Sequence, residues 1–491
     1  MKALKNYPLS MNKLLYALAI CIMFQQCALK ERIEEKKAKP NIIYILADDL
    51  GYGDLGCYGQ QKIKTPNIDN LAKSGIRFTQ HYSGSTVCAP SRSSLMTGLH
   101  TGHTHVRGNR GMEPEGQFPL KDEAFTLAEL LKTAGYKTGA FGKWGLGFVG
   151  TEGDPNNQGF DEFYGYNCQS RAHRYYPTHL WHNSDKIIMN GNDGMHTVTY
   201  AQDLIHSQAL KFIDENKDKP FFLFMPYVLP HAELIAPDDE ILKQYKGVFP
   251  EQYYEGVKGS AYDSGWHYAR YMTQETPHAV FAAMVSRIDK YVGDVMLKLE
   301  ELSLDKNTLV IFTSDNGPHI EGGADPDFFD SNGPLRGVKR DLYEGGIRVP
   351  MIAQWTGKIA AGKTSDHISS FWDVMPTLAE LADVEIPEKT DGVSFLPTLL
   401  SQDGQQQHKY LYWEFHEWGG KQAVRKGNWK AIRLNVFDNP DGSIQLYNLD
   451  IDIGEENDIA GDNTQVVAEM AEIMTEAHIH NNDFPFFNPD K

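Results

Sequence analysis

From Asn41 onward, short apolar runs alternate with stretches whose apolar positions return every three or four residues. Ile42-Ile43-Tyr44-Ile45-Leu46 is continuous and rich in β-branched residues, the pattern of a strand buried on both faces. Thr65-Pro66 opens a helix, with Thr65 as N-cap and Pro66 in the first turn, and Gly75 closes it. Residues 127–133 read as a second helix ended by Gly135, residues 136–141 as a second strand, and residues 221–225 as a third. Val280, Met284, Ile288, Val292, Val295, Met296 and Leu299 form one apolar stripe along a long helix, and residues 309–312 make a fourth strand. This alternation predicts an α/β fold: a large, mostly parallel sheet flanked by helices on both faces.

After about Gln405 the texture changes. Residues 410–416, 422–425 and 429–433 are short strands at hairpin spacing, followed by a strand at 444–449 and a helix at 466–478. The expected organisation is a main domain over residues 40–405 and a C-terminal subdomain over 406–491, a small antiparallel sheet with one helix. No internal repeat or low-complexity segment is present. At the other end, Lys2, Lys5 and Lys13 precede an apolar run at 14–24, which reads as a signal peptide over residues 1–26 and is too short to span a membrane. Cys27 then heads a charged tether, 27–39. Its surroundings resemble a relaxed bacterial lipoprotein site, so the chain is expected to be exported to the periplasm or cell surface, lipid-anchored through Cys27.

The 491 residues carry a net charge of −18, which excludes nonspecific binding to nucleic acid or anionic membrane. An anionic substrate then needs local positive charge or a metal. Of five cysteines, Cys21 and Cys27 fall in the leader and Cys88 in a motif described below. Cys57 and Cys168 leave room for one disulfide at most.

Ligands of open parallel sheets bind beyond the carboxyl ends of the strands. The four predicted strands run into Asp48-Asp49, Lys143, His231 and Asp315-Asn316. Taken singly, each acidic pair reads better as a helix cap. Together at equivalent strand ends, Asp48, Asp49, Asp315 and Asn316 offer only oxygen donors, which suits a hard ion such as Ca²⁺ better than zinc. The sharpest string is Cys88-Ala89-Pro90-Ser91-Arg92. A plain buried thiol leaves its proline, serine and arginine unexplained.

Through these residues the chain resembles the type I sulfatases of the alkaline phosphatase superfamily. The matching stretches are residues 41–53, 65–98, 142–147, 313–317, 335–350 and 446–460. The resemblance implies an alkaline phosphatase-like fold and oxidation of Cys88 to formylglycine by a dedicated maturation enzyme. It implies one Ca²⁺ held by Asp48, Asp49, Asp315, Asn316 and the modified residue 88. One hydroxyl of the aldehyde hydrate attacks sulfur and the second expels sulfate. Arg92 holds the modified residue, Lys143 and Lys339 bind the sulfate, and His231 protonates the leaving oxygen.

One departure stands out: the family often has histidine two residues after the lysine, where this chain has Gly145. The base for the second step is therefore unassigned, with His105 and His319 as candidates. On the substrate side, Arg171, His173, His319 and Glu321 are expected to line the pocket, with Trp413, His416 and Trp418 closing it. Such walls suit a sugar, and the resemblance to family members acting on sulfated galactose or N-acetylgalactosamine implies an exo-acting enzyme on a sulfated carbohydrate of that kind. A phosphatase or phosphodiesterase of the same superfamily is the nearest alternative, disfavoured by Asn316 where a second metal asks for histidine. A catalytically idle glycan-binding lipoprotein is the other.

Overall fold

Strand β1 (Asn41–Asp48) is buried along its whole length and runs through the middle of the molecule. Its side chains alternate between two apolar cores. Ile43, Ile45 and Ala47 join one, and Ile42, Tyr44 and Leu46 the other, as expected of a strand covered on both faces. The computed structural model describes residues 39–113, 115–193, 196–256 and 271–487. The signal segment and all but the last residue of the tether lie outside that set.

Around β1 the main sheet is built from β2 (Ile76–Tyr82), β3 (Lys137–Lys143), β4 (Glu162–Tyr166), β5 (His179–His182), β6 (Asp185–Ile188), β7 (Phe221–Pro230), β8 (Thr308–Ser314), β9 (Arg348–Gln354) and β10 (Lys363–Ser365). The order across it is β10-β2-β9-β8-β1-β7-β3-β4-β5-β6. The centre, β8-β1-β7-β3-β4, is parallel, and β9 and β5 attach to it antiparallel. The helices Pro277–Glu301 and Ala201–Asn216 pack on one face. Cys88–Thr97, Leu127–Thr133 and Val374–Ala382 pack on the other.

The C-terminal sheet has the strands β11 (Leu411–Phe415), β12 (Lys421–Lys426), β13 (Trp429–Leu434) and β14 (Ile444–Asn448), antiparallel in that order. One face holds the Thr464–Glu476 helix through Met470 and Met474. The other buries Trp413, Phe415 and Ile432 against Tyr82, Val87 and Trp372 of the main body, and Pro40–Lys491 forms one compact unit.

Three expectations are corrected. Thr65 occupies the N-cap position without capping: its hydroxyl accepts from Gly56 N at 2.9 Å and donates to Asp69 at 3.1 Å. Cys57 and Cys168 are free thiols. Trp413 does not close a pocket; it is fully buried and donates Nε1–H to Ser83 O at 3.0 Å.

Candidate active site

The parallel centre of the sheet places four strand ends side by side, in the spatial order Asp315, Asp48-Asp49, His231, Lys143. Asp49 has a left-handed backbone (φ 64°), which aspartate tolerates better than most residues. That turn aims its N–H at Asp315 Oδ1 (3.2 Å), while Leu50 N donates to Ser314 Oγ (2.9 Å). The ends of β1 and β8 are thereby tied, and their carboxylates converge.

Cys88 begins the helix Cys88–Thr97, at the end where the aligned backbone dipoles leave positive character. The thiol donates to Asp48 Oδ1 at 3.3 Å, and Lys143 Nζ lies 3.3 Å from Sγ and 2.6 Å from Asp48 Oδ2. Arg92 lies one helical turn on. Its guanidinium bonds Asp315 Oδ2 (2.8 and 3.1 Å), Asp48 Oδ2 (3.3 Å) and the Lys143 carbonyl, so it reaches the groups flanking Cys88. Lys339 bonds Asp49 Oδ2 (2.7 Å) and His231 Nε2 (2.9 Å). His231 Nδ1–H donates to the Ala232 carbonyl, which leaves Nε2 as the acceptor.

These groups are all buried, so their charges act on one another with little screening. Burial works to raise Asp48, but Lys143, then His231, Arg92 and Lys339, outweigh it and hold the carboxyl well below its ordinary range. Burial and then Asp48 push the Cys88 thiol well up. Burial opposes charge on Lys143 and Lys339, but Asp48 and Asp49 keep both as ammonium ions. His231 and His173 are both pushed down, first by burial.

Asp48, Asp49, Cys88 and His231 each offer a ligand atom within 4.8 Å of the others. Asn316 turns Nδ2 to Asp49 Oδ1 (2.6 Å) and the Gly317 carbonyl, and its buried Oδ1 has no hydrogen-bond partner among the described residues. An orphaned amide oxygen beside three carboxylates fits an oxygen-seeking cation such as Ca²⁺.

His173 stacks on His231 at 4.5 Å between ring centroids. The His319 ring lies 5.6 Å from that of His231, with Nδ1 3.4 Å from Glu321 Oε2. Arg171 is turned to Glu115, Nε to Oε2 3.7 Å. His105 sits apart, against Phe118 (5.5 Å) and Asp483 (3.8 Å), and His416 is buried on Glu414 (3.0 Å).

Two residues escaped the sequence reading. Gly145 has φ 77°, a conformation that favours glycine, and a Cβ there comes within 3.3 Å of Gln169 Nε2. Gln169 Nε2 and both side-chain polar atoms of Asn167 are buried without a partner among the described residues. Isolated amides carry no spacing signature, so only the fold could bring them to light.

A buried thiol facing fixed ammonium groups, beside an edge of oxygen donors that fits a cation, is an arrangement suited to hydrolysis of anionic esters. Comparison with known proteins narrows that class. Residues 40–384 match the Sulfatase family model and residues 337–480 the N-sulphoglucosamine sulphohydrolase C-terminal model, so the chain belongs to the sulfatase family and is a sulfuric ester hydrolase. It is 29% identical to N-acetylgalactosamine-6-O-sulfatase of Bacteroides thetaiotaomicron, over 90% of this chain and 93% of that protein. It is 33% identical to human arylsulfatase A, over 80% and 74%. The crystal structure of Ps i-CgsB in complex with k-i-k-neocarrahexaose superposes with a TM-score of 0.73 at 31% identity, covering 89% of this chain and 92% of that one.

Proposed function

We propose that the protein removes sulfate from a sulfated glycan, acting at a chain end on galactose or N-acetylgalactosamine sulfate, with a formylglycine made from Cys88. The observation that carries this reading is Cys88 Sγ standing 3.3 Å from both Asp48 Oδ1 and Lys143 Nζ at the carboxyl edge of the sheet. The pushed-up thiol argues against a thiolate nucleophile, since a reactive cysteine needs a lowered value. A maturation enzyme supplied with a two-electron oxidant would convert that thiol to a thioaldehyde, which water would hydrolyse to the aldehyde with loss of sulfide; its hydrate would supply one hydroxyl for attack on sulfur and a second for sulfate release. Asp48, Asp49, Asp315 and Asn316 would hold the Ca²⁺, which would lower the hydroxyl's pKa and offset charge on the sulfuryl oxygens.

The chain's own residues do the rest. Lys143 and Lys339 orient the sulfate, and Arg92 fixes Asp48 and Asp315. His231 and Lys339 share a contact of 2.9 Å, from which a proton passes to the departing alcohol oxygen. Charge favours sulfate over phosphate. Three buried carboxylates, Asp48, Asp49 and Asp315, face three buried cations, Arg92, Lys143 and Lys339. A divalent cation, a singly charged sulfate ester and one ionised hydroxyl keep that sum at zero. A phosphate monoester is nearly doubly charged at pH 7 and leaves negative charge uncompensated in a buried site.

The glycan part of the reading is supported by the relative named for N-acetylgalactosamine-6-O-sulfate and by the structure crystallised with a neocarrahexaose. Export to the periplasm or cell surface with a lipid on Cys27 is proposed on the basic and apolar N-terminal segment, and C27A should release the protein from membranes.

The test is sulfate release from sulfated galactose and N-acetylgalactosamine saccharides by protein produced with its maturation enzyme, beside the matched phosphate esters. Sulfate turnover should exceed phosphate turnover. C88A should lower kcat by roughly 10⁴-fold or more, and K143A and K339A by about 10²–10³-fold each. Faster phosphate release, or full activity in C88A, contradicts the reading.

A further inference from the structure

Trp418 sits in the turn between β11 and β12, and among the described residues it is the one tryptophan with a largely exposed ring, at 65%. A single exposed aromatic is ordinary on a protein surface and needs no explanation by itself. Three further observations set this one apart.

The backbone at Trp418 is left-handed (φ 51°), a conformation that bulky residues rarely adopt and that persists only where the surroundings enforce it. The surroundings are the catalytic edge. On one side of the turn, Glu417 Oε1 accepts from Asn109 N (3.0 Å), and Asn109 Oδ1 accepts from Ala89 N (3.1 Å), the residue after Cys88. On the other, Lys421 Nζ donates to the carbonyl of Arg340 (2.6 Å) and to Asp341 Oδ1 (3.0 Å). Arg340 follows Lys339 in sequence and bonds Thr86 O through its own amide (3.1 Å). The turn therefore straddles the two segments that carry residue 88 and the Lys339 ammonium. Finally, one face of the indole is fixed by the Arg340 guanidinium, 5.0 Å from the ring centroid, and Arg340 is itself held by Glu321. The indole is locked without being covered.

We infer that Trp418 is an aromatic platform for the sugar next to the sulfated one, so that the site takes the end of an oligosaccharide in preference to a free sulfated monosaccharide. This rests on the glycan sulfatase reading above. The chemistry is that of sugar recognition: a pyranose has an apolar C–H face that stacks on a flat ring. An indole already backed by the Arg340 guanidinium loses little freedom when the sugar arrives. Burial of a large rigid aromatic is among the most productive contacts an interface makes.

The test compares kcat/KM for a sulfated monosaccharide and for an oligosaccharide ending in the same sulfated unit, in wild type, W418A and W418F, with folding checked by circular dichroism. The wild-type enzyme should prefer the oligosaccharide. In W418A the ratio of the two kcat/KM values should fall about tenfold, the scale of one truncated aromatic anchor, mainly through KM for the oligosaccharide. W418F should keep most of it. An unchanged ratio in W418A overturns this inference while leaving the sulfatase reading intact. Hydrolysis of aryl sulfates by wild type with no sulfate released from any glycan overturns the glycan reading and this inference with it.

Discussion

Asn316 shows most plainly what single residues contribute. A buried carbonyl oxygen without a donor costs about 1–3 kcal/mol, and here it lies beside Asp49, whose own oxygens are taken by Asn316 and Lys339. A bound cation offsets that cost, so Ca²⁺ should stabilise the fold by about 2.7 kcal/mol at a hundredfold excess over its Kd. Thermal unfolding with Ca²⁺ and with a chelator checks this: D49N and N316A should lose most of the increment, and an identical Tm in both conditions contradicts the cation site. At this scale the sequence was most informative where residues came as strings, as in Asp48-Asp49, Asp315-Asn316 and the segment from Cys88 to Arg92. It was least so for Gln169 and Asn167, isolated amides that only the fold brings beside Gly145. Trp413 and Trp418 looked alike in the sequence. They differ because one points inward from β11 while the other lies in the turn that follows.

Among the elements, the parallel strands were legible because continuous apolar runs leave few alternatives, and their ends then marked the edge at which the proposed chemistry is placed. Strands β2 and β9 were not. Polar residues interrupt Ile76–Tyr82, and β9 contains Pro350, which lies at the register shift between Val349 and Met351 where β9 pairs with β2. The C-terminal sheet was read from hairpin spacing, but its attachment is a matter of side chains. Glu414 of β11 accepts from His478 (2.6 Å), His416 (3.0 Å) and Tyr412 OH (2.7 Å), and pairs with Arg107 at 3.5 Å. Burial works against ionisation there, but His416 and His478 outweigh it and hold the carboxyl at about 2, below its ordinary 4.5. A lowered carboxyl contributes stability that is complete above its unfolded value and lost as pH falls towards its folded one. Stability should therefore decline between about pH 4.5 and pH 2. E414Q should cost about 3–5 kcal/mol at neutral pH and show a flatter decline in that window, read from denaturant midpoints across pH. Parallel pH profiles for the two proteins contradict the assignment.

Over the whole molecule, an enzyme of net charge −18 handles an anionic substrate because topology gathers its useful cations at one edge. The order β8-β1-β7-β3 brings together side chains up to 267 positions apart, as in the pair Asn316 and Asp49. No local pattern encodes that distance; the parallel pairing of β1 with β8 does. The acidity elsewhere leaves Arg92, Lys143 and Lys339 as the buried positive charge facing residue 88.

The chemistry turns on what residue 88 is in the active protein, and the mass of the peptide containing it, taken from material that releases sulfate, reads this directly. The predicted peptide has lost one sulfur and two hydrogens and gained one oxygen, the change from thiol to aldehyde. An intact thiol throughout fully active protein contradicts the account.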